Sequence, residues 1–248
     1  MSGQGGGVAK IGVLGDIHGN LEALEAVLKA LDAEGVKRLA CTGDVVGYGA
    51  NPSECLSLVR SRCETVVAGN HDWGAVGKKA LDYFNSAARE AIDWTAARLS
   101  EEERLWLSSL PLVVTREEYQ LVHASFNDPV EFIYIFETQE AEASFASQAG
   151  PLAFFGHTHW PCTFFDGDPA RHSIQRVVPL DPPGRFLVNP GSVGQPRDSD
   201  PRAAYAVLDL DKRTVTLRRV DYDIAAAAGK ILAAGLPASL AERLSYGY

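Results

Sequence analysis

The sequence predicts an α/β fold, with a parallel sheet covered by helices in the first half and a second, more antiparallel sheet in the rest. Three observations predict it. Short apolar runs alternate with helical periodicity up to about residue 110, and the later strands are joined mostly by loops. Strand after strand also ends in Gly followed by Asp, Asn or His. A strand–helix rhythm marks a parallel sheet, because each parallel crossover runs through a helix that covers a sheet face.

The elements follow in order. Lys10-Ile-Gly-Val-Leu14 reads as a buried strand. Asn20 then caps a helix whose Leu21, Leu24, Val27, Leu28 and Leu31 share one face, and Gly35 closes it in the left-handed conformation. Arg38 to Thr42 forms the next strand, Asn51-Pro52 opens the second helix with proline at its first position, and Glu64 to Ala68 is a third strand. Residues 85 to 110 are helical in two pieces, the second capped by Ser100 ahead of three glutamates. Further strands are expected at 120–122, 152–155, 163–165, 186–188, 203–208 and 215–220, with a closing helix from about Asp223.

Of the 248 residues, 46% are hydrophobic and 22% charged, enough chain to bury a substantial core. No Pro/Gly/Ser-rich linker divides the middle, so residues 8–248 read as one domain and 1–7 as a flexible leader. That leader lacks the charged and apolar regions of a signal peptide. No run approaches the roughly 20 apolar residues of a membrane span, and the cytoplasm is the expected location. A net charge of −9 argues against a generic nucleic-acid binder, which needs a basic excess to displace phosphate counterions. The four cysteines form no C-x-x-C pair and read as reduced thiols.

Function is written at the strand ends. The first three deliver Gly15-Asp16-Ile17-His18-Gly19-Asn20, Gly43-Asp44 and Gly69-Asn70-His71-Asp72. Later strands deliver His123 and Gly156-His157-Thr158-His159. Ligands in open α/β sheets gather at the carboxyl ends of strands. A lone Asp at such a place is usually a turn former, and a lone His usually a half-buried neighbour. Five such groups in strand-end register are a site. Carboxylate, amide and imidazole without thiolate suit Mn, Fe, Zn, Co or Ni better than Mg. Seven potential ligands exceed one tetrahedral zinc and fit two metals sharing a bridge.

In order, Gly15-Asp-Ile-His18, Gly43-Asp44, Gly69-Asn-His-Asp72, His123 and Gly156-His-Thr-His159 resemble the five motifs of the calcineurin-like metallophosphoesterase superfamily. The resemblance implies a four-layer α-β-β-α sandwich with two mixed sheets and the metals at one edge. It implies that Asp16, His18, Asp44 and His159 hold one divalent ion, manganese favoured, and that Asn70, His123, His157 and shared Asp44 hold the other. It further implies in-line attack on phosphorus by a metal-bridging hydroxide, with His71 as general acid. The run Asn189-Pro-Gly-Ser-Val-Gly-Gln-Pro-Arg197 resembles the small bacterial phosphodiesterase-type branch.

One departure carries weight. The protein Ser/Thr phosphatases of this superfamily have Gly-Asp-x-Val-Asp-Arg-Gly at the second motif, whereas this chain has Gly43-Asp-Val-Val-Gly47-Tyr48-Gly49. Gly47 replaces the aspartate that orients the catalytic histidine, and Tyr48 replaces a phosphate-gripping arginine. Losing that bidentate clamp disfavours a dianionic monoester and favours a diester of small-molecule size. Arg197 and Arg202 are candidate replacements, and Asn20 is a further candidate substrate contact. A phosphomonoesterase or protein phosphatase, a nuclease and a non-catalytic scaffold are the rival readings. The presence of His71 with a full ligand set disfavours the scaffold, and net acidity the nuclease. Phe132-Ile-Tyr-Ile-Phe136 reads either as interior packing or as an aromatic wall over the metals.

Overall fold

The computed structural model describes residues 10–248; the leader expected over residues 1–7 lies outside them. Strand β1 (Lys10–Leu14) leads into helix α1 (Leu21–Ala33), then β2 (Arg38–Cys41), α2 (Pro52–Arg62) and β3 (Thr65–Val66). Asn20 caps α1 by accepting from the Ala23 N–H at 3.1 Å. The helix ends at Gly35 with φ +71°, where the Val36 N–H reaches back to Leu31. Short α3 (Asn70–Ala75) leads to α4 (Ser86–Ala96) and α5 (Glu101–Ser109), the two helical pieces expected there. Ser100 and Glu103 close a reciprocal capping box on α5.

The second half contributes β4 (Val113–Thr115), β5 (Gln120–Val122), α6 (Thr138–Ser147), β6 (Leu152–Phe154), β7 (Cys162–Phe165), β8 (Arg171–Ser173), β9 (Val177–Pro179) and β10 (Phe186–Asn189). The long strands β11 (Ala203–Asp209) and β12 (Thr214–Val220) follow, then α7 (Ile224–Ala233) and α8 (Ala238–Glu242).

Two six-stranded mixed sheets result, ordered β3-β2-β1-β11-β12-β9 and β4-β5-β6-β10-β7-β8. Here the structure corrects the sequence expectation. β11 and β12 belong to the first sheet, where β11 lies antiparallel to β1, and the second sheet holds a parallel core of β5, β6 and β10. Periodicity cannot assign a late strand to a sheet, because an apolar seven-residue run suits any central position. β11 is buried at every residue, as a strand between two neighbours and two covered faces must be.

The period-2 alternation of these strands creates four layers. Ile11 and Val13 of β1 face Leu152 and Phe154 of β6 and Phe186 and Val188 of β10 across the gap between the sheets. Leu14, Leu39 and Cys41 face outward onto Leu24, Val27 and Leu31 of α1 and Leu56 of α2. On the far side, Ala153 and Leu187 pack with Phe145 of α6. The architecture is therefore the α-β-β-α sandwich with two mixed sheets. A smaller cluster joins α4, α7 and α8 around Tyr48, which brings the C-terminal helices up to the loops after β2. No described helix is long and apolar enough to cross a membrane.

Candidate active site

The carboxyl ends of β1, β2, β3, β5 and β6 converge, and the loops leaving them bind one another before they bind anything else. The N–H groups of Asp16, Ile17 and His18 donate to the carbonyls of Gly43 and Asp44, each at 2.9 Å. Of ten described non-glycine residues with positive φ, six stand here: Asp16, His18, Asp44, Tyr48, His157 and His159. Such conformations each cost about 1–3 kcal/mol and persist only where the surroundings over-determine them.

Asp72 supplies much of that determination. Its carboxylate accepts from the N–H groups of Asp44 (2.9 Å), Gly69 (3.0 Å), Val45 (2.9 Å) and Val46 (3.2 Å), clamping the second motif onto the third. Nothing in the order of the residues marks this role, although Asp72 follows Asn70 and His71 directly. Gly69 is required by close approach, since a Cβ there would stand 2.0 Å from Asp44 Oδ1. From below, the Ser192 hydroxyl donates to the Asp16 carbonyl at 2.7 Å, and the Asn189 amide donates to the Gly156 carbonyl at 2.8 Å. The run from Asn189 therefore buckles the first motif to the last.

All seven candidate ligands are brought together and buried, apart from half-buried Asn70. Asp16, His18 and His159 form one group of potential ligand atoms, and Asp44, His123 and His157 another. Asp44 lies between them, its Oδ2 being 3.6 Å from His18 Nε2 and 3.4 Å from His123 Nε2. Asn70 Oδ1 is 3.1 Å from His123 Nε2.

The imidazoles carry the test of fit. Nδ1–H of His18 donates to the Val46 carbonyl at 3.2 Å, that of His123 to Thr42 at 2.8 Å, and that of His159 to Gln195 at 2.6 Å. A neutral ring so anchored presents a bare Nε2. Burial indeed holds His18, His157 and His159 well below the ordinary imidazole range, so they are neutral. At His123 burial is outweighed by Asp44, which raises the imidazole to about 9, so its Nε2–H donates to His157 Nδ1 at 3.2 Å. Nε2 of His18 and of His159, by contrast, stand 3.1 Å apart. Two opposed lone pairs repel unless a cation lies against both. Burial, abetted by Asp44, also pushes the Asp16 carboxyl up to about 7 against the pull of His123. Buried carboxylates and bare imidazole nitrogens together make a donor set suited to divalent metal.

His71 is bonded differently. It also lies within ligand reach of His18 and Asp44, and its N–H donates to Asp44 Oδ1 at 2.8 Å. Its Nδ1, however, is buried with no partner. Tyr48 and Phe84 hold the ring instead, with centroids at 4.5 and 5.0 Å. Gly47, at φ +94°, faces that nitrogen, and a Cβ there would stand 2.5 Å from it. Aromatic packing, with no carboxylate, holds the ring.

The remaining candidates separate. The Arg197 guanidinium donates to the Tyr48 hydroxyl at 3.3 Å and to Gln195 Oε1 at 3.1 Å, while its Nε is buried and unpartnered. Arg202 is occupied by Asp200 at 2.7 Å and is no replacement. Asn20 does not serve as a substrate contact in this arrangement: its oxygen caps α1 and its amide donates to the Gly194 carbonyl at 2.9 Å. The aromatic segment splits, with Phe132 and Ile135 buried and Tyr134 exposed, its ring stacked on His157 at 3.8 Å.

Comparison with known proteins agrees with this geometry. Residues 9–213 match the calcineurin-like phosphoesterase superfamily domain. The chain belongs to that superfamily. Membership makes it a metal-dependent phosphoric ester hydrolase. An uncharacterized protein of Methanocaldococcus jannaschii is 40% identical over 242 residues, covering 96% of this chain and 98% of the relative. A metallophosphoesterase of Sphaerobacter thermophilus is 41% identical with a TM-score of 0.86, over 96% of this chain and 99% of that one. A symmetrical bis(5'-nucleosyl)-tetraphosphatase of Sodalis glossinidius is 31% identical over 146 residues; the match takes in 56% of this phosphoesterase and 52% of the relative.

Proposed function

We propose that the protein is a phosphodiesterase working with two divalent ions, manganese favoured, and that Asp44 is their shared ligand. Asp16, His18 and His159 hold one ion; Asn70, His123 and His157 hold the other. Bound there, the ions supply Lewis acidity that activates water and neutralises charge on the phosphoryl oxygens.

The chain's own groups do the rest. Arg197, positioned by Tyr48 and Gln195, donates to a non-bridging oxygen of the ester. Water oxygen bonds to phosphorus as the ester P–O bond breaks, and His71 passes a proton to the leaving oxygen. The proton released by water restores the imidazole, leaving a phosphomonoester and an alcohol. Burial holds His71 down at about 4, with Asp44 working the other way. An anionic ester placed against the ring acts as Asp44 does and raises its proton affinity. The observation that carries the diester reading is Tyr48 in place of an arginine, with the Arg197 guanidinium donating to its hydroxyl. One clamp matches the single charge of a diester better than the double charge of a monoester. Four unpaired cysteines favour a reducing compartment and so the cytoplasm.

The test is hydrolysis of bis(p-nitrophenyl) phosphate beside p-nitrophenyl phosphate, with and without Mn²⁺, by wild type and His71→Ala. Diester turnover should require the metal and fall by about 10²–10⁴-fold in the variant, the usual worth of a general acid. Preference for the monoester would overturn the diesterase reading, and full activity in His71→Ala would remove the proton donor.

A further inference from the structure

The cluster opens on one side into a cleft of about 370 Å³ that meets it at Asn70, His71 and His157. Aromatic rings stand in its other walls: Tyr83 and Phe84 from the stretch before α4, and Phe132 and Tyr134 from the segment after β5. Exposed apolar side chains concentrate at its mouth. Tyr83 is 83% exposed, Tyr134 44% and Ile133 38%, although nothing in the fold requires these side chains to meet water. Large apolar groups left exposed around a concave site mark a ligand surface.

The wall is held in place. Asp128 and Phe132 both take left-handed conformations, φ +52° and +53°, which is costly for a bulky residue such as Phe132. The strain is tolerated because the Phe132 ring is buried edge-on against Trp73 and His123, with centroids at 5.6 and 5.8 Å. Lys79 ties the two walls together. Its ammonium donates to the Val130 carbonyl at 3.0 Å, pairs with Glu131 at 3.4 Å, and lies 5.6 Å from the centroids of both Tyr83 and Phe132. The cleft is therefore a built chamber with aromatic faces, and its floor carries the residue proposed to protonate the leaving oxygen.

We infer that this cleft receives the leaving alcohol and selects esters whose leaving group carries a planar aromatic ring, held between the face of Tyr83 and the edge of Tyr134, whose own faces lie on His157 and Phe136. The inference rests on the phosphoesterase reading and on His71 marking the leaving-group side. Aryl alcohols and nucleosides share the required chemistry; a saturated ring of the same size lacks the π face that stacks on tyrosine.

The test uses ligands that cannot turn over. Dissociation constants of phenylphosphonate and cyclohexylphosphonate are measured by calorimetry on the Mn²⁺-loaded protein, for wild type, Tyr83→Ala and Tyr134→Leu. The phenyl compound should bind about tenfold tighter in wild type, within the usual worth of one stacked ring. That ratio should approach one in both variants. Tyr83 belongs to an exposed turn, so its loss tests the cleft without unfolding it. Equal affinities in wild type, or an unchanged ratio in both variants, would overturn the inference. A second pair, the 5'-methylenephosphonate analogues of AMP and of ribose 5-phosphate, distinguishes the sources: a gap as large as the phenyl one assigns a nucleoside, and a gap confined to the phenyl pair assigns an aryl alcohol. Bis(p-nitrophenyl) phosphate turnover with no aryl preference would sink the cleft and leave the phosphoesterase standing. Absence of both turnover and phosphonate binding would sink the two together.

Discussion

Phe154 on β6 and His123 at the end of neighbouring β5 are equally hidden from water, at 0% and 1% exposure, yet burial is achieved by different means. Phe154 meets apolar neighbours from both sheets, and its burial is favourable by about 1.5–3 kcal/mol. His123 meets Asp44, Asn70, His157 and the Thr42 carbonyl, and burying such groups is unfavourable unless each finds a partner. The region between the sheets is held by contacts that any well-fitting apolar side chain could make. The loop edge is held by directed bonds on a backbone strained at six non-glycine residues. The comparison teaches that the sandwich stabilises the molecule while the edge draws on that stability.

The sharpest way to break the comparison is Asp44→Asn, which keeps the shape of the side chain and removes the charge between the two groups. Divalent ion content, measured by elemental analysis, should fall for both ions, and turnover should drop by more than the roughly 10–100-fold typical of losing a residue that only orients a ligand. Retention of two ions would show that Asp44 is not shared. The converse experiment is Phe154→Ala, which should lower unfolding stability by about 3–5 kcal/mol in denaturant titration. Turnover per folded molecule should remain near that of wild type, and a large rate loss in fully folded protein would erase the distinction between sandwich and edge. Between them falls Asp72→Asn. Replacing one oxygen by NH₂ sets a donor against the backbone N–H groups that Asp72 now accepts from, so the second motif loses its anchor. Turnover should fall about 10–100-fold. Restoration by excess Mn²⁺ would identify loosened ligand geometry as the cause, and no loss at all would show that the second motif keeps its place without Asp72.

Much of this was legible in the residues. Helices α1, α2, α4 and α5 announce themselves through Asn20, Pro52 and Ser100 and through apolar spacing, because caps and periodicity are local. Strand-end position brought the candidate Asp, Asn and His residues to one edge, since a parallel sheet delivers its carboxyl ends there, and the resemblance to the superfamily's motifs singled out the seven ligands and His71 among them. What the residues hid was non-local. Asp72 reads only as the last residue of the third motif until its four N–H partners are seen. Asn20 looks available until Gly194, distant in sequence, occupies its amide. Arg197 and Arg202 lie five residues apart in equally polar surroundings, and only the fold gives one to Tyr48 and the other to Asp200.

By itself, then, the sequence determined which side chains stand at the strand ends and which faces of the early helices are apolar, because both follow from the period of the chain. The tertiary structure alone decided that β11 and β12 complete the first sheet, that the run from Asn189 buckles the first motif to the last, and that aromatic rings, in place of a carboxylate, hold His71. Those outcomes depend on groups that meet across 100 residues or more or pack side by side in space, where spacing along the chain carries no information and only the geometry of packing does.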